Sequence, residues 1–172
     1  MAESAQSQEK KAKALLKRCR EDILFFVNNF IIGPYNEATG KNVFITRQQE
    51  EGLKAVQDLV NDKREGKRRG VLGVSIMSGK GTGKDAMSSW VILWFMFVFP
   101  NPKVPCISVS SDQLDKVLWS EISLWLSSSD PLIKENFVLQ SDKLFRKDVP
   151  ADKRGKEWFA FKKAANPKMA PN

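Results

Sequence analysis

Three glycines in five positions, set between two apolar stretches, constrain this chain more than any other feature. Val71-Leu72-Gly73-Val74-Ser75-Ile76-Met77 runs into Ser78-Gly79-Lys80-Gly81-Thr82-Gly83, and Lys84-Asp85 then opens an apolar stretch that lasts to Phe99. The first run reads as a buried strand and the last as a helix buried on most sides. A glycine-rich turn between strand and helix is the context of a phosphate-binding loop. Glycines let successive backbone N–H groups turn inward without side-chain clash. Together with the following helix N-terminus they cradle an anion. Lys84 stands where such a loop carries the lysine that reaches β- and γ-phosphates.

The loop departs from the usual pattern of Gly, four residues, Gly, Lys, then Ser or Thr at both ends. Ser78 replaces the first glycine, and Asp85 replaces the hydroxyl that normally ligates Mg²⁺. A carboxylate is also a hard oxygen ligand. In the first turn of a helix it equally complements the dipole. Both roles for Asp85 stay open at this stage.

Around the loop the periodicity is mostly helical. Leu15, Leu16, Cys19, Ile23, Phe26, Val27 and Phe30 recur at three- and four-residue steps, which predicts one helix over residues 9–32, stopped by Gly33-Pro34. A loop with Asn36 and Gly40 follows. Thr46 with Gln49 three residues later has the form of a capping box opening a second helix, with Leu53, Val56 and Val60 as its apolar stripe. Lys63–Gly70 is a basic linker. Val104–Val109 predicts a strand, and Leu114, Val117, Leu118, Ile122 and Trp125 an amphipathic helix. Phe137–Leu144 and Glu157–Phe161 read as strands either side of a polar loop, Arg146–Lys156. Strand, loop, helix, strand, helix over residues 70–126 is the order of an α/β unit with a parallel sheet.

Composition narrows the chemistry. The 172 residues contain no histidine, so the commonest metal ligand and acid–base side chain are missing. Cys19 and Cys106 form no spaced motif, which fits an intracellular compartment. The polar N-terminus lacks a signal-peptide core, and the ten apolar residues of Trp90–Phe99 are too few to span a bilayer. A net charge of +8 favours nucleic acid or nucleotide phosphates as partners, although a merely soluble basic protein has the same balance. The basic first helix (Lys10, Lys11, Lys13, Lys17, Arg18, Arg20) reads as a solvated face or as a DNA or partner contact.

Several segments together resemble the ATPase domain of phage terminase large subunits. They are SGKGTGKD at the loop, the following helix with Trp90 and Trp94, the strand VPCISVS, and SSDQLDKVLWSEISLWL. Thr46-Arg47-Gln48-Gln49 matches the glutamine-bearing helix start that the family places before its loop, and Glu157-Trp158-Phe159-Ala160 resembles a strand preceding the second catalytic motif. The resemblance covers about residues 20–165. It implies a P-loop NTPase-like α/β fold, with an N-terminal helical segment (1–45) before a partial ATPase domain (46–172).

It also implies ATP and Mg²⁺ as cofactors, held by Ser78, Gly79, Lys80, Gly81, Thr82, Gly83, Lys84 and Asp85. Gln49 resembles the adenine-reading glutamine, and Lys80 a basic loop residue that stabilises transition-state charge in cis. The implied partners are double-stranded viral DNA, a portal protein, a small terminase subunit and the remaining C-terminal part of the terminase, in the host cytoplasm and without a membrane.

One departure is large. The family's second motif is an apolar strand ending in Asp-Glu, and no such run follows Lys84. The expectation is therefore the front piece of a terminase, whether split gene, truncated product or fragment, which does not hydrolyse ATP alone. Two other classes compete: a different P-loop enzyme, such as a small kinase or helicase-like ATPase with Arg146–Lys156 as a lid, and a non-catalytic basic nucleic-acid-binding module.

Overall fold

The computed structural model describes residues 5–150, 152–153 and 156–165. Within them the chain is mixed α/β, a four-stranded sheet flanked by helices. Ala151, Arg154 and Gly155 of the expected polar loop, and the last seven residues, lie outside that description.

The predicted helix over 9–32 is divided. α1 (Ala5–Glu21) ends at Asp22, whose backbone is extended (φ −140°) and whose side-chain carboxylate caps α2 (Ile23–Phe26) by accepting from the Phe25 N–H. Buried Gln57 bridges the break. Its Oε1 accepts from the Ile23 N–H at 2.8 Å, and its Nε2 donates to the Arg20 carbonyl at 3.1 Å. Groups orphaned by a helix break need such partners when buried. The apolar stripe itself is buried as its spacing requires: Cys19, Ile23, Phe26, Val27 and Phe30 all lie in the core.

Gly33-Pro34 does not stop the helix. A π-helical turn (Val27–Ile32) passes directly into α3 (Gly33–Thr39), where Pro34 sits in the first turn and needs no N–H donor. The true stop is Gly40, left-handed at φ 68°.

α4 (Arg47–Arg64) begins with the predicted capping box, both reciprocal bonds present. α5 (Lys84–Val98) is the centre of the molecule. Trp90, Ile92, Leu93, Trp94, Met96 and Val98 are all buried, and helices that precede and follow it in the chain, with two strands, pack around it. Three polar contacts fix its axis. Trp94 Nε1 donates to the Cys19 carbonyl, and Trp158 Nε1 donates to the Met96 carbonyl. The Arg20 guanidinium donates twice to the Val98 carbonyl and so caps the helix C-terminus. Arg18 lies over the Phe25 ring. Two cations of the basic first helix thus serve the fold.

After α5 come β1 (Lys103–Ser108), α6 (Ser111–Gln113), a π-helical stretch (Leu114–Trp119) and α7 (Ser120–Ser128). α8 (Pro131–Lys134), β2 (Phe137–Leu139), β3 (Lys143–Arg146) and β4 (Phe159–Ala164) follow. The strand order is β1-β4-β3-β2. Only β1 and β4 run parallel; β4–β3 and β3–β2 are antiparallel. The sheet is therefore mixed and not the parallel one expected. Phe137–Leu144 is not one strand but a tight hairpin, because the polar Gln140–Asp142 turn folds Leu139 back onto Leu144.

Val71–Met77 is the largest departure. It is not a buried strand: Val71 and Met77 are almost fully exposed, Met77 at 95%. Among the described residues none of its N–H or C=O groups enters a backbone hydrogen bond. Its composition suits a strand, but a strand exists only by pairing, and among the described residues none pairs with it. Only a trace of the alternation remains. Leu72 is half-buried and Val74 and Ile76 are less exposed than Val71 and Met77, although both Ile76 and Met77 line the cavity against α4. β1 also has an open edge, with Ile107 and Val109 exposed.

Among the described residues no helix is long and apolar enough to cross a membrane. The apolar stretch ending at Phe99 is buried in the core instead.

Candidate phosphate-binding site

The loop Ser78–Gly83 leads into the N-terminus of α5 through two glycines in the left-handed region, Gly81 at φ 78° and Gly83 at φ 74°. The Lys84 side chain folds back over this loop. Its ammonium donates to the Ser78 carbonyl at 2.8 Å and to the Gly79 carbonyl at 2.9 Å. The Thr82 hydroxyl donates to the Gly79 carbonyl at 3.1 Å and lies 2.8 Å from the Ser78 hydroxyl. Carbonyls are thus drawn to one side of the loop. The N–H groups of Gly79 through Gly83 donate to no acceptor among the described residues. A row of free amides beside an ammonium and a helix N-terminus has the polarity of an anion site.

Gln49 is the joint between loop and helix layer. Its Oε1 accepts from the Thr46 N–H at 2.9 Å and from the Thr46 hydroxyl at 3.0 Å, and its Nε2 donates to the Gly83 carbonyl at 3.2 Å. The Gly83 carbonyl also accepts the Met87 N–H, the opening bond of α5. Both ends of this amide are therefore engaged inside the chain. The approach is close: a Cβ on Gly83 would lie 2.4 Å from Gln49 Nε2. Gly52, one turn further along α4, lets Met87 approach, since a Cβ there would lie 2.9 Å from its sulfur. Sequence reasoning missed Gly52, although a glycine inside a strongly helical run is the kind of residue that marks close packing.

Two recesses flank the loop. One of about 430 Å³ lies between the loop and α4, lined by Gln49, Gly52, Ile76, Ser78, Thr82 and Lys84. The other, about 380 Å³, opens beside Gly81–Gly83. Lys80 and Asp85 are exposed, and neither has a hydrogen bond or ion pair among the described residues. Asp85 sits in the first turn of α5. The described residues hold no cluster of three or more His, Cys, Asp or Glu. No cage of such side chains is thus placed among them to hold a metal ion. Mg²⁺ needs no such cage, because it takes one or two carboxylates and completes its shell with phosphate oxygens and water.

Polar residues of the later segments are engaged elsewhere. Gln113 accepts from the Ser108 hydroxyl at 2.7 Å, and Glu121 accepts from Trp125 Nε1 at 2.7 Å. Arg146, at the head of the expected lid, pairs with Asp148 and lies 4.1 Å from the Trp158 ring centroid. No known family, curated protein or solved structure matches this chain.

Proposed function

We propose that this chain is the ATP-binding part of a phage DNA-packaging terminase large subunit, with a P-loop NTPase-like fold. The observation that carries the reading is the loop itself: free amides from Gly79 to Gly83, with the Lys84 ammonium folded over them at the start of a buried helix.

In this reading the amides and Lys84 bind the β- and γ-phosphates. Lys84 exchanges its two loop carbonyls for phosphate oxygens, a swap that costs it no hydrogen bond. Ser78 and Thr82 hold the loop's curvature through their hydroxyl pair. Asp85 is the side chain that would contribute an oxygen to Mg²⁺. When bound, the ion draws charge away from the β/γ bridge. Lys80, exposed and unpaired among the described residues, is free to swing toward the γ-phosphate and offset charge that develops there.

The partners that follow are double-stranded viral DNA, a portal protein, a small terminase subunit and the C-terminal part of the terminase, in a host cytoplasm. Water attack needs a positioned base. The two parallel strands end at Ser108 and Ala164, and neither ends in an acid pair. Turnover therefore requires an acid supplied from outside the described strands.

The test is equilibrium binding of ATP to the purified chain with Mg²⁺, followed by phosphate release. Saturable Mg²⁺-dependent binding with turnover no faster than Lys84→Ala is expected. Absence of any saturable nucleotide binding would overturn the reading.

A further inference from the structure

The two faces of the sheet carry different chemistry. Strand register puts Cys106, Ala160, Leu144 and Phe137 on the side packed into the core. The alternate residues fall on the other side. There Phe159 and Phe161 stand two apart on β4, both half-buried, with ring centroids 5.5 Å apart and ring planes 33° from parallel. Lys103 of β1 lies across the ladder from Phe159, and Lys143 of β3 from Phe161. Lys163 continues β4 beside Ile107, which is 64% exposed. None of these three lysines has a side-chain hydrogen bond or ion pair among the described residues. Lys162, turned to the core side, is the opposite case: it pairs with Asp115 and lies 5.5 Å from the Trp119 ring centroid. No strand position on the outer face is acidic, and the patch ends at Phe145, which is buried.

We propose that this outer face binds single-stranded nucleic acid, with unstacked bases on Phe159 and Phe161 and the backbone phosphates on Lys103, Lys143 and Lys163. The proposal is independent of the nucleotide reading above. Aromatic rings on a rigid sheet, flanked by cations one strand away on either side, present a stacking surface and an electrostatic track together. Stacking tolerates any base, because every base has a π-face. A duplex keeps its bases stacked on one another and so offers the lysines its phosphates but offers the rings nothing. An acidic polypeptide meets the charge of this face without the flat groups that the rings would stack. Rings and lysines on one face are thus both used only by a single strand.

The experiment is fluorescence anisotropy on the full chain with short labelled oligo-dT, oligo-U and a DNA duplex of the same length, with circular dichroism to confirm folding. Saturable binding of a single strand is expected, oligo-dT against oligo-U telling DNA from RNA. The log–log salt slope should be about −2, from three phosphates at roughly −0.7 each. Phe161→Ala should weaken the single strand roughly 5- to 100-fold, the range for one stacked base. The double variant Phe159→Leu/Phe161→Leu keeps apolar bulk without flat rings; it should weaken the single strand and leave the duplex as in wild type. Lys103→Gln/Lys143→Gln/Lys163→Gln should flatten the salt slope, whereas Lys10→Gln/Lys13→Gln/Lys17→Gln on α1 should not. No saturable binding of either single strand would overturn the proposal. Wild-type affinity in the folded ring variants, or equal flattening by the α1 variant, would reduce it to general electrostatic attraction and overturn it as well. Displacement of the single strand by polyglutamate at equal charge would assign the face to an acidic polypeptide instead.

Discussion

Replacing Lys84 by alanine is the sharpest perturbation of the proposed site, because the side chain does little for the fold. Its ammonium bonds only the Ser78 and Gly79 carbonyls, both on an exposed loop where water can replace it. The stability cost should stay within about 0.5 kcal/mol, as for most surface changes. Ligand binding is different. A unit charge about 4 Å from a phosphate charge is worth roughly 1 kcal/mol at the dielectric of water and roughly 4 kcal/mol at an effective dielectric near 20. Lys84 is half-buried and would face two phosphate groups. Taking the water-like end for both and moving part-way toward the protein value gives about 2–4 kcal/mol. That is roughly a 30- to 1,000-fold loss in ATP affinity. The assay is fluorescence titration with a labelled ATP analogue in Mg²⁺, paired with urea denaturation of both proteins. Wild-type affinity in a folded Lys84→Ala variant would refute the reasoning, since no other cation is folded onto this loop among the described residues.

Three further perturbations test neighbouring groups. Asp85→Ala should make nucleotide binding less dependent on Mg²⁺ if the carboxylate holds the ion, whereas a purely dipolar role predicts an unchanged Mg²⁺ titration and about 0.3–1 kcal/mol of lost stability by urea melt; Asp85→Thr should restore metal-dependent binding. Gly83→Ala combines a left-handed backbone (φ 74°) with a contact on Gln49 Nε2, so it should lower stability by about 1–2 kcal/mol and weaken ATP binding, read by the same two assays. Burial raises the thiol pKa of Cys19 and of Cys106 from 9.0 to about 11. The native state thus keeps its protons while the unfolded chain loses them, and stability falls as pH rises from 9 to about 11. A Cys19→Ala/Cys106→Ala variant should show a shallower fall over that window, and a coloured thiol reagent should react with wild type only as it unfolds.

What the sequence discloses here is local, and what it hides is pairing. The capping box at Thr46 and Gln49 is written in two residues three apart, and it forms. The buried face of the first helical stretch is equally plain, because Cys19, Ile23, Phe26 and Phe30 keep step whether or not the axis breaks at Asp22. The break itself depends on Gln57, a residue over thirty positions away, and no periodicity in either helix announces that contact. The same holds for the site. The glycines and Lys84 are legible as a loop, but the bond from Gln49 to the Gly83 carbonyl joins two segments whose distance only the fold sets. Gln48 and Gln49 are chemically identical in the sequence. They part company because one turns inward against Thr46 and Gly83 while the other turns out.

Val71–Met77 shows how far the site depends on that same pairing. Its composition is that of a strand buried on both faces, and its inner residues already pack toward α4 and α5. Its backbone edges are nevertheless free among the described residues, and so is one edge of β1. The loop hangs from this segment, since Ser78 follows Met77 directly and the Ser78 carbonyl is one of the two that Lys84 grips. A strand added alongside would fix Met77 and, through it, the start of the amide row. The other end of the row is already fixed by Gln49 and by α5. The row is thus tied to the helix layer at Gly83, while at Ser78 it is held only by contacts within the loop and Lys84. If the unpaired Val71–Met77 segment must be ordered when an anion bonds the row of amides, that entropy, about 1–2 kcal/mol for each residue fixed, is subtracted from the affinity. Any partner that pairs with Val71–Met77 removes the subtraction. On the proposed nucleotide reading, pairing along Val71–Met77 is expected to strengthen binding at the loop without a direct contact between the two ligands.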